Sequence, residues 1–379
     1  MKIDTLFSYP GLPFNDIFES FFDKYKLSED VECYQFIFCP YETGTGISFN
    51  DLNKLNFQTR VVIFNIIDSI IDIDDNTDIH GLQKFCAKHP ENSFIISSPH
   101  FNLQRELDKR GINIPNLYLT SWAATTFSER FKRCEKGELS NRWLSFNSST
   151  KLHRVMAMSY LLSKDYGDNG DFTFDFRHKI YKQPYQYKNF KPPSPELKTS
   201  FAKGHKKFKN KEFNRIKISQ FDASNLAPAA NYNDVLSSVY STYGVEIITG
   251  TSFFEQTPVI SEKEMQSVWG MVFPIFLNGV GIVRELKSFF DLDLFDGVID
   301  HSYDEIEDHF ERMAAAIDRN QHLLDGSTDV HKLWTTHKHR FESNCEKMES
   351  LLYDRTYQTL FNYNKIKQSL HHFNISLEL

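Results

Sequence analysis

In the first 120 or so residues, apolar positions fall in short runs separated by stretches of helical period. Runs at 3–8, 34–39, 61–67, 94–97 and 116–119 predict strands. Helices fit between them at 15–25, 80–88 and 102–110, with Pro10-Gly-Leu-Pro13 turning into the first and Gly111 stopping the third. Strand, helix, strand with short polar turns implies α/β architecture built on a parallel, doubly wound sheet.

The pattern changes at 129–138, where Glu129-Arg-Phe-Lys-Arg-Cys-Glu-Lys-Gly-Glu138 is charged and unpatterned. Beyond this boundary a strand is predicted at 142–147, followed by a capped apolar helix at 148–162. From Gly244 a β-branched run breaks at Gly250 and delivers small polar residues and Glu255, the signature of a buried strand whose C-terminal end opens into a site. Ser261 is placed to N-cap the next helix, and the apolar run 272–277 ends at Asn278-Gly279. The remainder is helical, with one helix at 310–324 stopped by Asp325-Gly326 and a long or broken one at 330–363.

Composition sets wide limits. A chain of 379 residues, 40% hydrophobic and 25% charged, is long enough for two domains with separate cores. Its five cysteines (Cys33, Cys39, Cys86, Cys134, Cys345) lack Cys-x-x-Cys spacing, and the odd number argues against a disulfide framework. A reducing cytoplasm is the expected setting, the host's if the chain is phage-encoded. No run approaches the ~18 apolar residues of a membrane span, and the start is too polar for a signal peptide. His331, His337 and His339 sit beside basic residues without acidic partners at metal-ligand spacing, so no metal is expected.

In parallel α/β sheets, ligands gather beyond the carboxyl ends of the strands. The residues there include Glu42, Asp68 and His100. Asp68 or Glu42 could be the general base for an acceptor hydroxyl, and His100 could do the same or hold the acceptor. The competing readings are that Asp68 caps the next helix and Glu42 lies in a loop. Gly44 and Gly46 are no dinucleotide fingerprint, since the third glycine and an immediate helix are missing.

Strand, acidic turn, Ser261-Glu-Lys263, helix and then Gly270-Met-Val-Phe-Pro-Ile-Phe276, with Ile299-Asp-His-Ser-Tyr-Asp-Glu-Ile-Glu-Asp308 further on, resembles the donor half of GT-B nucleotide-sugar glycosyltransferases of the bacterial and phage type. The residue before Pro274-Ile275 departs from that pattern, which has Arg or Lys there. A strand ending in Asn147, a short basic turn and His153-Arg154 opening an apolar helix is similar to the same group, and the two motifs stand in the same order. The resemblance implies two Rossmann-like domains facing a cleft, with a C-terminal helix crossing back. It suggests an acceptor domain over 1–135, a donor domain over 140–335 and a helical segment over 336–379.

The chemistry of these residues fits. A nucleotide sugar needs carboxylates for its hydroxyls and cations plus a helix N-terminus for its diphosphate, which makes Ser252, Glu255, Ser261, Glu262 and Lys263 donor-binding candidates. The plainer alternative is a capped amphipathic helix with a solvated face. Lys151, His153 and Arg154 in the first turn of a helix oppose its dipole, and an anion there would compensate. Otherwise their side chains reach out to water.

Residues 177–217 hold 13 Lys or Arg against two acids, giving +11 in a chain of net charge −7 and leaving −18 elsewhere. Prolines at 184, 192, 193 and 195 predict irregular structure, and aromatics including Phe201 and Phe208 run through it. Such an insertion suits a nucleic-acid backbone with stacked bases, with Lys203, Lys206, Lys207, Lys209, Lys211 and Arg215 on the phosphates. A lysine-rich solvated loop is the alternative.

The sequence therefore predicts a monomeric, metal-independent GT-B glycosyltransferase with no tightly bound cofactor, using a UDP- or GDP-sugar as co-substrate. The favoured acceptor is double-stranded DNA carrying hydroxylated or hydroxymethylated bases. A surface glycan is the alternative acceptor. A non-catalytic nucleic-acid-binding protein on a degenerate transferase fold is the alternative of another class.

Overall fold

The five N-terminal apolar runs form one parallel sheet in the computed structural model: β1 (Lys2–Phe7), β2 (Glu32–Phe38), β3 (Val61–Ile66), β4 (Ser93–Ser98) and β5 (Leu117–Ser121). The structure describes residues 2–7, 32–38, 61–66, 76–98, 107–115, 117–121, 133–147, 151–173, 192–209, 238–250 and 258–353. By contacts the chain divides into two units, Met1–Thr126 with Leu351–Leu379, and Phe127–Ser350.

In the first unit the described strands lie in the order β1-β2-β3-β4-β5. Strand order follows chain order without reversal, so the doubly wound arrangement expected for this sheet is absent among the described strands. Helix α1 (Asn76–Lys88) starts four residues before its expected N-terminus. Leu82, Phe85 and Cys86 are fully buried on it, at the spacing of one helical face. Gly111, at φ +66°, closes the turn after Leu107 by donating its N–H to the Asp108 carbonyl, as its position predicts. The helix predicted at 15–25 lies outside the described residues.

The second unit has a four-stranded parallel sheet of β6 (Ser140–Ser145), β7 (Gly170–Phe172), β8 (Tyr243–Thr249) and β9 (Phe273–Leu277), in the order β7-β6-β8-β9. Here the order does reverse. The chain goes from β6 outward to β7, then returns past β6 to β8, so the crevice between the ends of β6 and β8 is a topological switch point. β9 is buried throughout and β8 at every residue after Tyr243, as β-branched and aromatic strands covered on both faces should be.

Helix α2 (Leu152–Ser163) is buried at every residue from His153 onward. A helix apolar on all sides must be covered on all sides. Helix α3 (Pro195–Lys209) packs on it through Phe201, which lies 5.1 Å from the Tyr160 ring and 5.8 Å from Phe310. The two backbones meet at Gly204, where a Cβ would stand only 1.6 Å from the Ser159 carbonyl oxygen.

Helix α4 (Glu262–Trp269) precedes β9, and α5 (Ile282–Phe290) follows it. The expected helix at 310–324 is two, α6 (His309–Arg319) and α7 (Gln321–Leu324), broken at Asn320. The Asn320 side chain donates to Ala316 O and Asp300 O, which holds the break against the preceding loop. Helix α8 (Val330–Tyr353) is unbroken over its described length, and 354–363 of the expected helix lie outside the described residues. It docks by Phe341 on Phe273 and Phe295, by Trp334 Nε1 donating to Met271 O (2.9 Å), and by Arg340 paired with Asp293.

Candidate functional site

The ends of β6, β8 and β9 are joined by polar side chains. Thr249 Oγ1 donates to Asn147 Oδ1 at 2.6 Å across the switch point, and Asn147 Nδ2 donates to Ser145 Oγ at 3.1 Å. Gly250 N donates to Leu277 O at 3.0 Å, extending the β8–β9 ladder past the strand. Its own carbonyl then points to α2, accepting from His153 Nε2 at 3.0 Å and from Arg154 Nη2 at 3.4 Å.

Both of those side chains are buried, His153 at 4% and Arg154 at 2% exposure. Because a carbonyl can only accept, the imidazole carries its proton on Nε2. Burial first, and then the charges of Arg154, Lys151 and Lys263, hold His153 well below its ordinary pKa, so it is a neutral donor. Lys151 is the N-cap of α2 and makes no side-chain cap hydrogen bond. The cap expected from the Ser148 stretch is therefore not at the helix start, which lies at Leu152. A side chain must sit at the cap position itself to reach the N2 or N3 amide.

Across from α2, Ser261 caps α4 in a full capping box. Glu264, completely buried, accepts from Ser261 N (2.8 Å) and Ser261 Oγ (2.7 Å) with one oxygen and from Asn278 Nδ2 (2.8 Å) with the other. The Ser261 hydroxyl is thus engaged within the cap. Lys263 is half-buried, and its charge acts on His153, Glu246 and Glu264. The two motifs, about a hundred residues apart in sequence, are linked through Gly250, which α2 meets directly and α4 reaches by way of Glu264 and Asn278.

Glu42, Asp68, His100, Ser252, Glu255, Lys211 and Arg215 lie outside the described residues. Glu262 opens α4 and Lys209 closes α3. Lys203, Lys206 and Lys207 are exposed on α3. The expectation of irregular structure through the basic segment is corrected over Pro195–Lys209. Pro195 is the first residue of the helix, where its missing N–H costs nothing, and Phe201, His205 and Phe208 form its buried face. Phe201 and Phe208 are core, not a stacking surface.

Solved structures of a DNA-modifying β-glucosyltransferase align with this chain at low similarity. One, determined with and without uridine diphosphoglucose, aligns over 92% of this chain and 100% of its own at 12% identity and a TM-score of 0.33. A complex of the T4 phage enzyme with UDP-glucose aligns over 92% and 99% at 12% identity and a TM-score of 0.29. No protein-family model and no curated protein sequence matches the chain.

Several site residues escaped the sequence reading. Glu264 was legible as the fourth residue of a Ser-x-x-Glu capping box, and Asn147 and Asn278 as the polar residues that end apolar runs. Nothing in the sequence marks Lys136, inside the charged boundary stretch, as the half-buried residue it is. Its Nζ donates to Tyr240 O (2.6 Å) and Tyr243 O (2.7 Å), and burial lowers its pKa to about 7. Nearby, Glu246 on β8 accepts from Tyr240 OH, and burial raises it to about 8. Among the described residues no group of three or more His, Cys, Asp or Glu could hold a metal ion, and no helix is long and apolar enough to cross a membrane.

Proposed function

We propose that this protein binds the diphosphate of a UDP- or GDP-sugar at the ends of β6, β8 and β9 and transfers the sugar to a hydroxyl acceptor. The reading rests on one observation. The Gly250 carbonyl gathers His153 and Arg154 at the start of α2, with Lys151 at its N-cap and the charge of Lys263 within reach. Cations at the positive end of a helix are unfavourable unless an anion compensates them, and a diphosphate does so while also meeting the positive end of the helix dipole. Arg154 would neutralise the charge that grows on the leaving diphosphate, where an oriented cation is worth most.

DNA carrying hydroxylated or hydroxymethylated bases is the acceptor we favour. The support is Lys203, Lys206 and Lys207 on the solvent face of α3, in a segment of +11 on an otherwise acidic chain. Asp68, His100 or Glu42 would supply the base for the acceptor hydroxyl.

A thermal-shift series against nucleotides and nucleotide sugars tests the donor half. A ligand at a hundred times its dissociation constant adds about 2.7 kcal/mol of stability. Absence of a shift with every UDP- and GDP-sugar would remove the donor reading. Donor hydrolysis without acceptor then separates an enzyme from a non-catalytic nucleic-acid-binding protein. Transfer to hydroxymethylated duplex, compared with unmodified duplex and with glycan, identifies the acceptor.

A further inference from the structure

The cations of the proposed site, Lys151 and Arg154 at the start of α2 and Lys263 in the first turn of α4, belong to separate stretches of chain, and one side chain stands between them. Asn278, just past β9 and 1% exposed, uses its amide fully. Its Nδ2 donates to Glu264 Oε1 (2.8 Å) and to Val259 O (2.9 Å), and its Oδ1 accepts from Gly279 N (2.6 Å). Those bonds tie the first turn of α4 and the segment leading into it to the end of β9.

On its other side Asn278 abuts Gly250, where a Cβ would come 2.4 Å from Nδ2. No side chain other than hydrogen fits there without moving the amide. Behind it, Arg312 Nε donates to the Asn278 carbonyl at 3.1 Å, and the same guanidinium donates to Ile306 O (2.6 Å) and Glu307 O (3.1 Å). The line of contacts from α4 through Glu264, Asn278 and Gly250 to His153 and Arg154 on α2 is continuous.

We propose that Asn278 is a positioning residue for the anion site, setting the gap between the start of α2 and the start of α4. The inference rests on the donor reading above. A diphosphate spans a fixed length, so cations on two independent helices hold it only if their separation is held. Asn278 touches no ligand in this scheme; it acts through Glu264 on one side and through Gly250 on the other.

The geometry makes the test sharp, because Asn278→Asp would place a second carboxylate against Glu264 at hydrogen-bond distance. Two such carboxylates repel each other when both are ionised at high pH, and a proton shared between them restores the contact as pH falls. The probe is UDP-glucose or GDP-mannose, whichever binds the parent better, since neither titrates between pH 5.5 and 8. At pH 8 Asn278→Asp should raise the dissociation constant at least tenfold. At pH 5.5 it should return to within about threefold of the parent, whose own affinity is the reference at each pH.

Exchanging the pair, Asn278→Asp with Glu264→Gln, restores one donor facing one acceptor and should recover part of the affinity at pH 8. Recovery stays partial because Val259 O loses its donor. A role confined to stability would lower the melting temperature while leaving the affinity of the folded protein and its pH profile unchanged, and that result overturns the inference. If the parent binds neither probe, the donor reading falls and the inference with it.

Discussion

Replacing Phe201 with Ala separates the two roles open to the basic segment. Phe201 is fully buried, with its ring 5.1 Å from Tyr160 on α2 and 5.8 Å from Phe310 on α6. Truncating a buried Phe costs about 3–5 kcal/mol, from lost transfer energy and the cavity left behind. The residue lies at the crossing fixed by Gly204 and Ser159, where the backbones are too close to collapse inward, so the upper half of that range is expected. For a unit of this size about 2–4 °C is lost per kcal/mol, giving a fall of roughly 8–20 °C in the melting temperature. Thermal and urea unfolding followed by tryptophan fluorescence measure it, with DNA retention at several salt concentrations alongside. At temperatures where the variant is folded, its salt dependence of DNA binding should match the parent's. A melting temperature within about 2 °C of the parent, together with lost DNA binding, would refute the reasoning and restore the ring to a stacking surface.

The exposed face of the same helix should behave oppositely. Lys203→Gln, Lys206→Gln and Lys207→Gln together should change stability by no more than about 0.5 kcal/mol per site and flatten log K against log salt by up to about 0.9 per cation removed. An unchanged slope would turn the acceptor reading toward glycan. Arg154→Ala should lower turnover by about 10²–10³ if it stabilises the leaving diphosphate, and unchanged turnover would take it out of the mechanism. Glu262→Ala should weaken donor binding with little change in melting temperature, whereas a loss of stability alone would assign it to the helix. Glu246, at about 8 in the fold, binds a proton that the unfolded chain releases near 4.5, so its contribution to stability falls as pH rises from about 4.5 to 8. Lys136, at about 7, works the other way, with stability rising between about 7 and 10.5. Glu246→Gln should make the fall of stability with pH between 5 and 8 in urea unfolding less steep, and an unaltered slope would show that the carboxyl is ionised in the fold.

The sequence alone determined the α/β class and the strands of the first unit, because hydrophobic period and turn residues act over a few positions and survive any packing. All five strands of the first unit lie within two residues of their predicted bounds at each end. Ser261 at the start of α4 and Gly111 after Leu107 were legible for the same local reason. Strand order was not, since period 2 and period 3.6 say nothing of which strand lies beside which, and only the second sheet reverses. Burial was not legible either. Phe201 read as an aromatic among lysines until α2 supplied the surface that covers it, and Lys136 read as a boundary charge until two carbonyls were brought to it. The convergence of His153 and Arg154 on Gly250, and of Asn278 against it, depends on β6, β8 and β9 being neighbours. A motif can name residues fit to hold an anion, but the distance between them is set by the tertiary contacts of Asn278, Glu264 and Gly250, which no local pattern encodes.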